Sequence, residues 1–253
     1  MRLQDKVVVI TGAGSGMGRA MANLFAAEGA KIVAGEWNKT SLCEVIEEVT
    51  AVGGTIIGLQ GNIAERADAE MIVQAAIDTY GRVDVLVNNA GVMDQNEAVG
   101  DVDDATWERV LHVNLYGAMY LTRKAVNFMA EQGSGSIVNI ASIGGITGSV
   151  AGVSYTVSKH GVIGLTRSTA YLYAQKGVRC NAILPGAVQT NIQQSMDTSK
   201  IDAWATERLN LSYGMIPAQL EAGDVANLAL FLASDEARMV NGATISADGG
   251  WRA

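Results

Sequence analysis

Residues 6 to 36, KVVVITGAGSGMGRAMANLFAAEGAKIVAGE, restrict the fold of this chain more than any other stretch. The β-branched run at 7 to 10 reads as a strand buried on both faces. Gly12, Gly16 and Gly18 follow it, then a helical pattern, then a second strand that closes on Glu36. Glycines so placed let the backbone turn sharply, approach a pyrophosphate and seat the next helix against the sheet. The helix start at Ser15, Gly16 and Met17 offers free N–H groups and partial positive charge to phosphates. The stretch therefore predicts a βαβ unit of about 30 residues that binds a dinucleotide. Glu36 lies close to the spacing of about 20 residues expected of an acidic partner for the adenosine ribose. A 2′-phosphate beside it would meet like charge, at roughly 4 kcal/mol for a ~4 Å pair at an effective dielectric near 20. Ser15 and Trp37 bring no cation to offset this, so NAD is expected over NADP.

Strand-like and helix-like segments alternate along the rest of the chain. Strands are predicted near 6 to 11, 31 to 36, 54 to 60, 83 to 88, 135 to 141, 178 to 184 and 242 to 247. Between them, stretches such as SLCEVIEEVTAVG and ERADAEMIVQAAIDTYG carry apolar residues at helical spacing and end in glycine. The expected fold is an α/β doubly wound, Rossmann-like parallel sheet of about seven strands, joined by right-handed crossovers. With 253 residues, 49% of them hydrophobic, and only two prolines, the chain reads as one domain, residues 1 to 253. Cys43 and Cys180 follow no metal or redox spacing and are expected to be reduced. His112 and His160 share no ligand spacing with each other or with either cysteine, so no metal is expected. No apolar segment has the length of a signal peptide or a membrane span, which makes a cytoplasmic protein the expectation. A net charge of −8 argues against nucleic acid as a partner.

In such a sheet, function belongs at the carboxyl ends of the strands, and the distinctive residues fall there. Tyr155 and Lys159 stand four apart in SYTVSKHG, on one face of a predicted helix, with Ser142 thirteen residues upstream. A free phenol has a pKa near 10, so about a thousandth of it is ionised at neutrality. The ammonium of Lys159, joined by a cationic oxidised nicotinamide, is expected to lower that value. A shift from ~10 to ~7 needs about 4 kcal/mol. Tyr155 would then serve as general acid and base, with Ser142 bonding the oxygen that gains or loses the proton.

TGAGSGMG at 11 to 18, NNAG at 88 to 91, Asn114 in LHVNLYG, Ser142 in NIASIGG, YTVSK at 155 to 159 and PGAVQT at 185 to 190 together resemble the short-chain dehydrogenase/reductase family. The resemblance spans most of the chain and implies a catalytic tetrad of Asn114, Ser142, Tyr155 and Lys159. By it, Asn114 positions a water that links Lys159 to solvent, and Lys159 also holds the nicotinamide ribose. Asn88, Ala90 and Gly91 would border the adenosine ribose, while Pro185, Gly186, Val188 and Thr190 would flank the nicotinamide. Asn62, with Ile63 beside it, occupies the adenine-side position where the family often has Asp. A second departure is IPAQLEAGDVA at 216 to 226, shorter than the usual segment and lacking its arginine. Residues 189 to 215 correspond to a substrate lid, in which Met196, Trp204, Leu209, Leu211, Tyr213 and Met215 either line an apolar pocket or pack the lid helices together. The implied activity is hydride transfer between NAD(H) and an apolar secondary alcohol or ketone, in a homotetramer. A 3-oxoacyl-thioester reductase and a non-catalytic NAD-binding regulator are the alternatives. Glu36 and Ser15 oppose the first, and the complete tetrad opposes the second. Gly152, Gly161 and Gly164 in a helix predicted over 151 to 175 are expected to mark close packing against a neighbouring subunit.

Overall fold

The five residues of β1 (Val7–Thr11) are all buried, and successive side chains feed opposite faces of the sheet. In the computed structural model, which describes residues 1–253, Val8 and Ile10 join one core and Val7 and Val9 the other. The sheet is completed by β2 (Lys31–Glu36), β3 (Thr55–Gln60), β4 (Val85–Asn88), β5 (Gly135–Ile140), β6 (Val178–Pro185) and β7 (Thr244–Ala247). Its order is β3-β2-β1-β4-β5-β6-β7, and every pairing is parallel. The direction of winding reverses between β1 and β4, which opens a crevice at their carboxyl ends.

One face is covered by α1 (Gly16–Ala27), α2 (Lys39–Ala51) and α8 (Ala222–Ala233), whose Phe25, Val45 and Leu230 pack with Val8 and Ile10. The other face is covered by α3 (Arg66–Tyr80) and α5 (Ala118–Gln132), through Ile72, Val73, Leu121 and Ala125. Between them in sequence, α4 (Asp104–Leu111) runs through a π-helical turn, His112–Gly117, into α5. The long α6 (Val153–Tyr173) follows β5. Residues 189 to 215 comprise two short 3-10 turns and α7 (Ala203–Tyr213). This segment is laced to the loop after β4: Met93 N–H donates to Ser195 Oγ (2.9 Å), Asp197 N–H to Gln95 Oε1 (2.9 Å) and Ala98 N–H to Asp202 Oδ2 (3.2 Å).

Two strands start two residues later than their sequence suggests. β4 begins at Val85 because Asp84 turns its carboxylate back to accept from Val7 N–H (2.8 Å) and from Arg82. β7 begins at Thr244 because Asn241 and the left-handed Gly242 (φ +76) form a turn bonded to the backbone of Cys180. The glycines of α6 also differ from expectation. Gly152 and Gly161 meet parts of their own chain, Asp94 with Glu97 and Leu115 respectively, and only Gly164 faces open space. Cys43 is exposed and Cys180 buried, both unpaired, and no helix is long and apolar enough to cross a membrane.

Candidate active site

The glycine turn joins β1 to α1 at the crevice. Gly12 (φ +63) and Gly16 (φ +49) hold left-handed conformations, and a Cβ on Gly18 would run into the carbonyl oxygen of Gly12. No side chain caps the start of α1 at Ser15, and no acidic residue lies in its first turn, so its N–H groups face the crevice uncompensated. Met17 packs at the edge of the first core. Asn89 fixes the turn from below by donating to the carbonyls of Thr11 (2.9 Å) and Gly12 (3.2 Å). Thr11 Oγ1 in turn accepts from Asn89 and Ala90 N–H (3.1 and 3.2 Å). From the far side, Thr190 closes over it: a Cβ on Gly16 would lie 3.1 Å from Thr190 Cβ.

Glu36 is held rigidly at the end of β2. Its Oε2 accepts from Gly14 N–H (3.0 Å) and its Oε1 from Trp37 and Asn38 N–H (3.0 Å each). Arg19, the basic residue of α1, is tied to Glu44 and Glu48 at 2.9 and 2.5 Å. Asn62 is exposed at the end of β3 and caps its own loop through Ala64 N–H (3.1 Å), whereas Ile63 is buried against Gly117. Asn88 is turned inward: its amide donates to Thr122 (3.0 Å) and Asn139 (2.7 Å), so its side chain ties β4 to β5 rather than facing the crevice. Pro185 ends β6, and Gly186 lets Asp248 approach so closely that a Cβ would stand 2.8 Å from it. Val188 pairs with Leu220 and packs on the first core.

The tetrad residues converge across β5, the π-helical turn and α6. Lys159 Nζ lies 5.5 Å from the centre of the Tyr155 ring and donates to the Ile140 carbonyl (3.0 Å). The Ser142 hydroxyl favours the phenolate of Tyr155 and accepts from Gly144 N–H (3.0 Å). Gly144 sits between them, since a Cβ there would lie 3.4 Å from both Ser142 Oγ and Tyr155 Cε1. Asn114 grips the backbone of Val92 in both directions (2.8 and 2.9 Å) and donates to Ser158 Oγ (3.1 Å). The same side chain and Lys159 Nζ both border Gly91, at 3.3 and 3.6 Å from where its Cβ would be.

The electrostatics correct the expectation from spacing. Burial pushes the Tyr155 phenol up to about 12, a shift that Asp94 and Tyr213 reinforce and Ser142 opposes. Burial also lowers Lys159 to about 8, which weakens its hold as a cation. Helical spacing brings the ammonium alongside the phenol, but it does not reveal that both are dry.

The residues of the segment 189 to 215 divide. Tyr213 donates to the Val150 carbonyl (3.0 Å), and its ring stands 6.3 Å from that of Trp251, whose Nε1–H donates to Ser212 O (3.0 Å). Leu209 is buried, while Trp204, Leu211 and Met215 are 60% or more exposed. Trp251, Asp94 and Asn89 were not legible as site residues. Asn89 lies within NNAG and had a signal; the others come from loops without a motif.

A crossed-over parallel sheet, a glycine turn opening α1 and a Ser, Tyr and Lys cluster at the strand ends define a nucleotide-binding α/β oxidoreductase. Residues 12–252 match the family model described as enoyl-(acyl carrier protein) reductase. The chain is 38% identical to 3beta-hydroxysteroid dehydrogenase 2 of Eggerthella lenta, over 99% of this chain and 96% of that one. It is equally 38% identical to the 3-oxoacyl-[acyl-carrier-protein] reductase FabG of Thermotoga maritima, over 99% of each. Among solved structures, levodione reductase superposes with a TM-score of 0.89 at 35% identity, covering 98% of both chains. A putative NAD(P)-dependent gluconate 5-dehydrogenase from Beutenbergia cavernae, with NADP bound at low occupancy, gives 0.86 at 36%, over 98% of this chain and 97% of that one. The chain belongs to the short-chain dehydrogenase/reductase family.

Proposed function

We propose that the protein is a cytoplasmic, NAD-dependent secondary-alcohol dehydrogenase or ketone reductase in which Tyr155 exchanges the proton. The observation that carries this reading is the meeting of Tyr155, Ser142 and Lys159 in a recess that is almost dry. The uncapped start of α1, the Cβ-free face at Gly18 and the carboxylate of Glu36 suit a dinucleotide with an unsubstituted ribose. When bound, the nicotinamide supplies hydride transfer. Burial keeps the phenol protonated, ready to donate to a ketone oxygen that Ser142 orients. The oxidation direction requires the phenolate. Bringing the phenol from about 12 to ~7 takes about 7 kcal/mol, more than the unburied reference suggests. Lys159 contributes part of this, and alcohol oxidation is accordingly expected to rise with pH while ketone reduction falls.

Glu36, pinned by three N–H groups with Arg19 already engaged, supports NAD over NADP. Ile143, Val150, Tyr213 and Trp251 form an apolar wall beside Ser142, and residues 189 to 215 act as the lid. With relatives named for hydroxysteroid and levodione chemistry, a ring-bearing apolar alcohol or ketone is the favoured substrate. Likeness to FabG keeps an acyl-thioester reductase as the second reading. A homotetramer through the open face of α6 is the favoured assembly, since Val157, Tyr171 and Leu172 are exposed there. Initial rates with NAD(H) and NADP(H) across cyclic ketones, steroid alcohols, polyols and a 3-oxoacyl thioester test the assignment. Preference for a polyol or for the thioester with NADPH would sink it. Tyr155→Phe is expected to lower kcat by about 10²–10⁴ while changing NAD affinity little.

A further inference from the structure

Asp94 is fully buried on the loop between β4 and α4 and belongs to no ion pair. Its partners are backbone N–H groups. Oδ1 accepts from Gly152 and Asn96 (3.1 Å each), and Oδ2 accepts from Tyr155 (2.9 Å). Gly152 opens α6 without a side chain to cap it, so the loop provides the cap from a distance. The carbonyl of Glu97 completes it by accepting from Val153 N–H (3.0 Å). Packing is tight: a Cβ on Gly152 would lie 2.6 Å from both Asp94 Oδ2 and Glu97 N. A neutral Ser or Asn satisfies an ordinary helix start. Here a carboxylate is buried instead, and three N–H bonds with the helix dipole compensate only part of its desolvation, so its pKa lies above the ordinary carboxylate value.

We propose that Asp94 is a positioning residue for the proton-transfer phenol: it fixes the first turn of α6 through the Gly152 and Tyr155 N–H groups, and sets a buried carboxyl against Tyr155 that acts on its proton transfer. The inference rests on reading Tyr155 as the proton-transfer group. The groups that face the phenol are Lys159 from α6, Asp94 from the loop after β4, Tyr213 from the end of α7, and neutral Ser142. Those around Asp94 are Tyr155, Tyr213, Arg109 of α4, which donates to the adjacent Met93 carbonyl (2.8 Å), Glu97, whose Oε2 accepts from Gln95 N–H (2.7 Å), and Asp202 on the neighbouring Ala98 N–H. The carboxylate raises both phenols; burial raises its own pKa above the ordinary carboxylate value, and its three N–H donors oppose that rise. Losing the anion removes a negative charge that opposes the phenolate, so the phenol should titrate at lower pH.

The test uses Asp94→Ser and Asp94→Asn, each made in the parent and in a Tyr155→Phe background. The difference in tyrosinate absorbance between each chain and its Tyr155→Phe counterpart isolates one phenol in the protein without cofactor. Both neutral variants are expected to move its midpoint down by on the order of one unit, and to move the acid limb of kcat/KM for alcohol oxidation the same way. Serine keeps a short acceptor at the cap and so separates charge from capping if Asp94→Asn folds poorly. Unmoved midpoints and limbs, with only a lower melting temperature, would overturn the proposal and leave Asp94 a cap. Should Tyr155→Phe retain turnover, the reading of the site itself fails. An inactive Tyr155→Phe beside an unmoved Asp94→Ser removes the role of Asp94 alone.

Discussion

Lys159 carries its ammonium where burial disfavours charge. Its Nζ has a hydrogen bond to the Ile140 carbonyl (3.0 Å), and its pKa falls from 10.5 to about 8. That depression corresponds to a cost of about 3 kcal/mol at neutral pH. The folded value is lowered, so the stability associated with this group is present above 10.5 and is lost as pH falls through about 8. Lys159→Met should therefore be inactive yet more stable than the parent near pH 6, by about 1–3 kcal/mol once the orphaned carbonyl is counted. The advantage should shrink as pH rises toward 10.5, which guanidinium denaturation at several pH values would follow. An equal gain at every pH would mean that packing, not charge, sets the difference. The face shared by Tyr155 and Lys159 was legible in the sequence because helical periodicity is local. The direction of the phenol's shift was not, because dryness depends on Val110, Val92 and Met93 packing against Tyr155 from α4 and the loop after β4.

At the scale of elements, α6 and the π-helical turn before α5 position the tetrad. The turn was not legible in LHVNLYG, where propensity reads a continuous helix. Its extra residue is stabilised by tertiary contacts: Asn114 holds Val92 N–H and C=O, and Gly117 admits Ile63, whose Cδ1 would lie 2.8 Å from a Cβ there. Asn114→Ala should leave both part-buried groups of Val92 without partners and cost about 1–3 kcal/mol in denaturant unfolding. The strands were legible because each is a short apolar run bounded by glycine or polar residues. Their bounds moved most at the starts of β4 and β7, where Asp84 and Asn241 bond backbone that belongs to other strands. Along α6, Gly164 meets nothing within 4 Å in its own chain. In an isolated subunit, Gly164→Ala should raise stability by up to about 1 kcal/mol. If α6 packs on a second copy there, the same change should weaken assembly, read by sedimentation. A more stable protein of unchanged size would argue against that face as an interface.

Across the whole molecule, the crevice lies between two halves that share the sheet and both cores, α1 packing with α8 and α3 with α5. β1, β2 and β3 present the glycine turn and Glu36, and β4, β5 and β6 present the tetrad and Thr190. A ligand that touches both halves stabilises the native state by mass action, about 2.7 kcal/mol at a hundred times its Kd. For a chain of this length that corresponds to a rise in Tm of roughly 5–10 °C. NAD should produce it. NADP at the same concentration should produce less, because its 2′-phosphate would face a carboxylate fixed by Gly14, Trp37 and Asn38 N–H groups. Glu36→Gln should narrow the gap by removing the like charge while retaining an acceptor for Gly14. Gly18→Ala should abolish both shifts, since its Cβ would collide with the Gly12 carbonyl and force the turn open. Thermal melts of the three chains with each dinucleotide decide the matter: equal shifts from NAD and NADP in the parent would remove Glu36 as the selector.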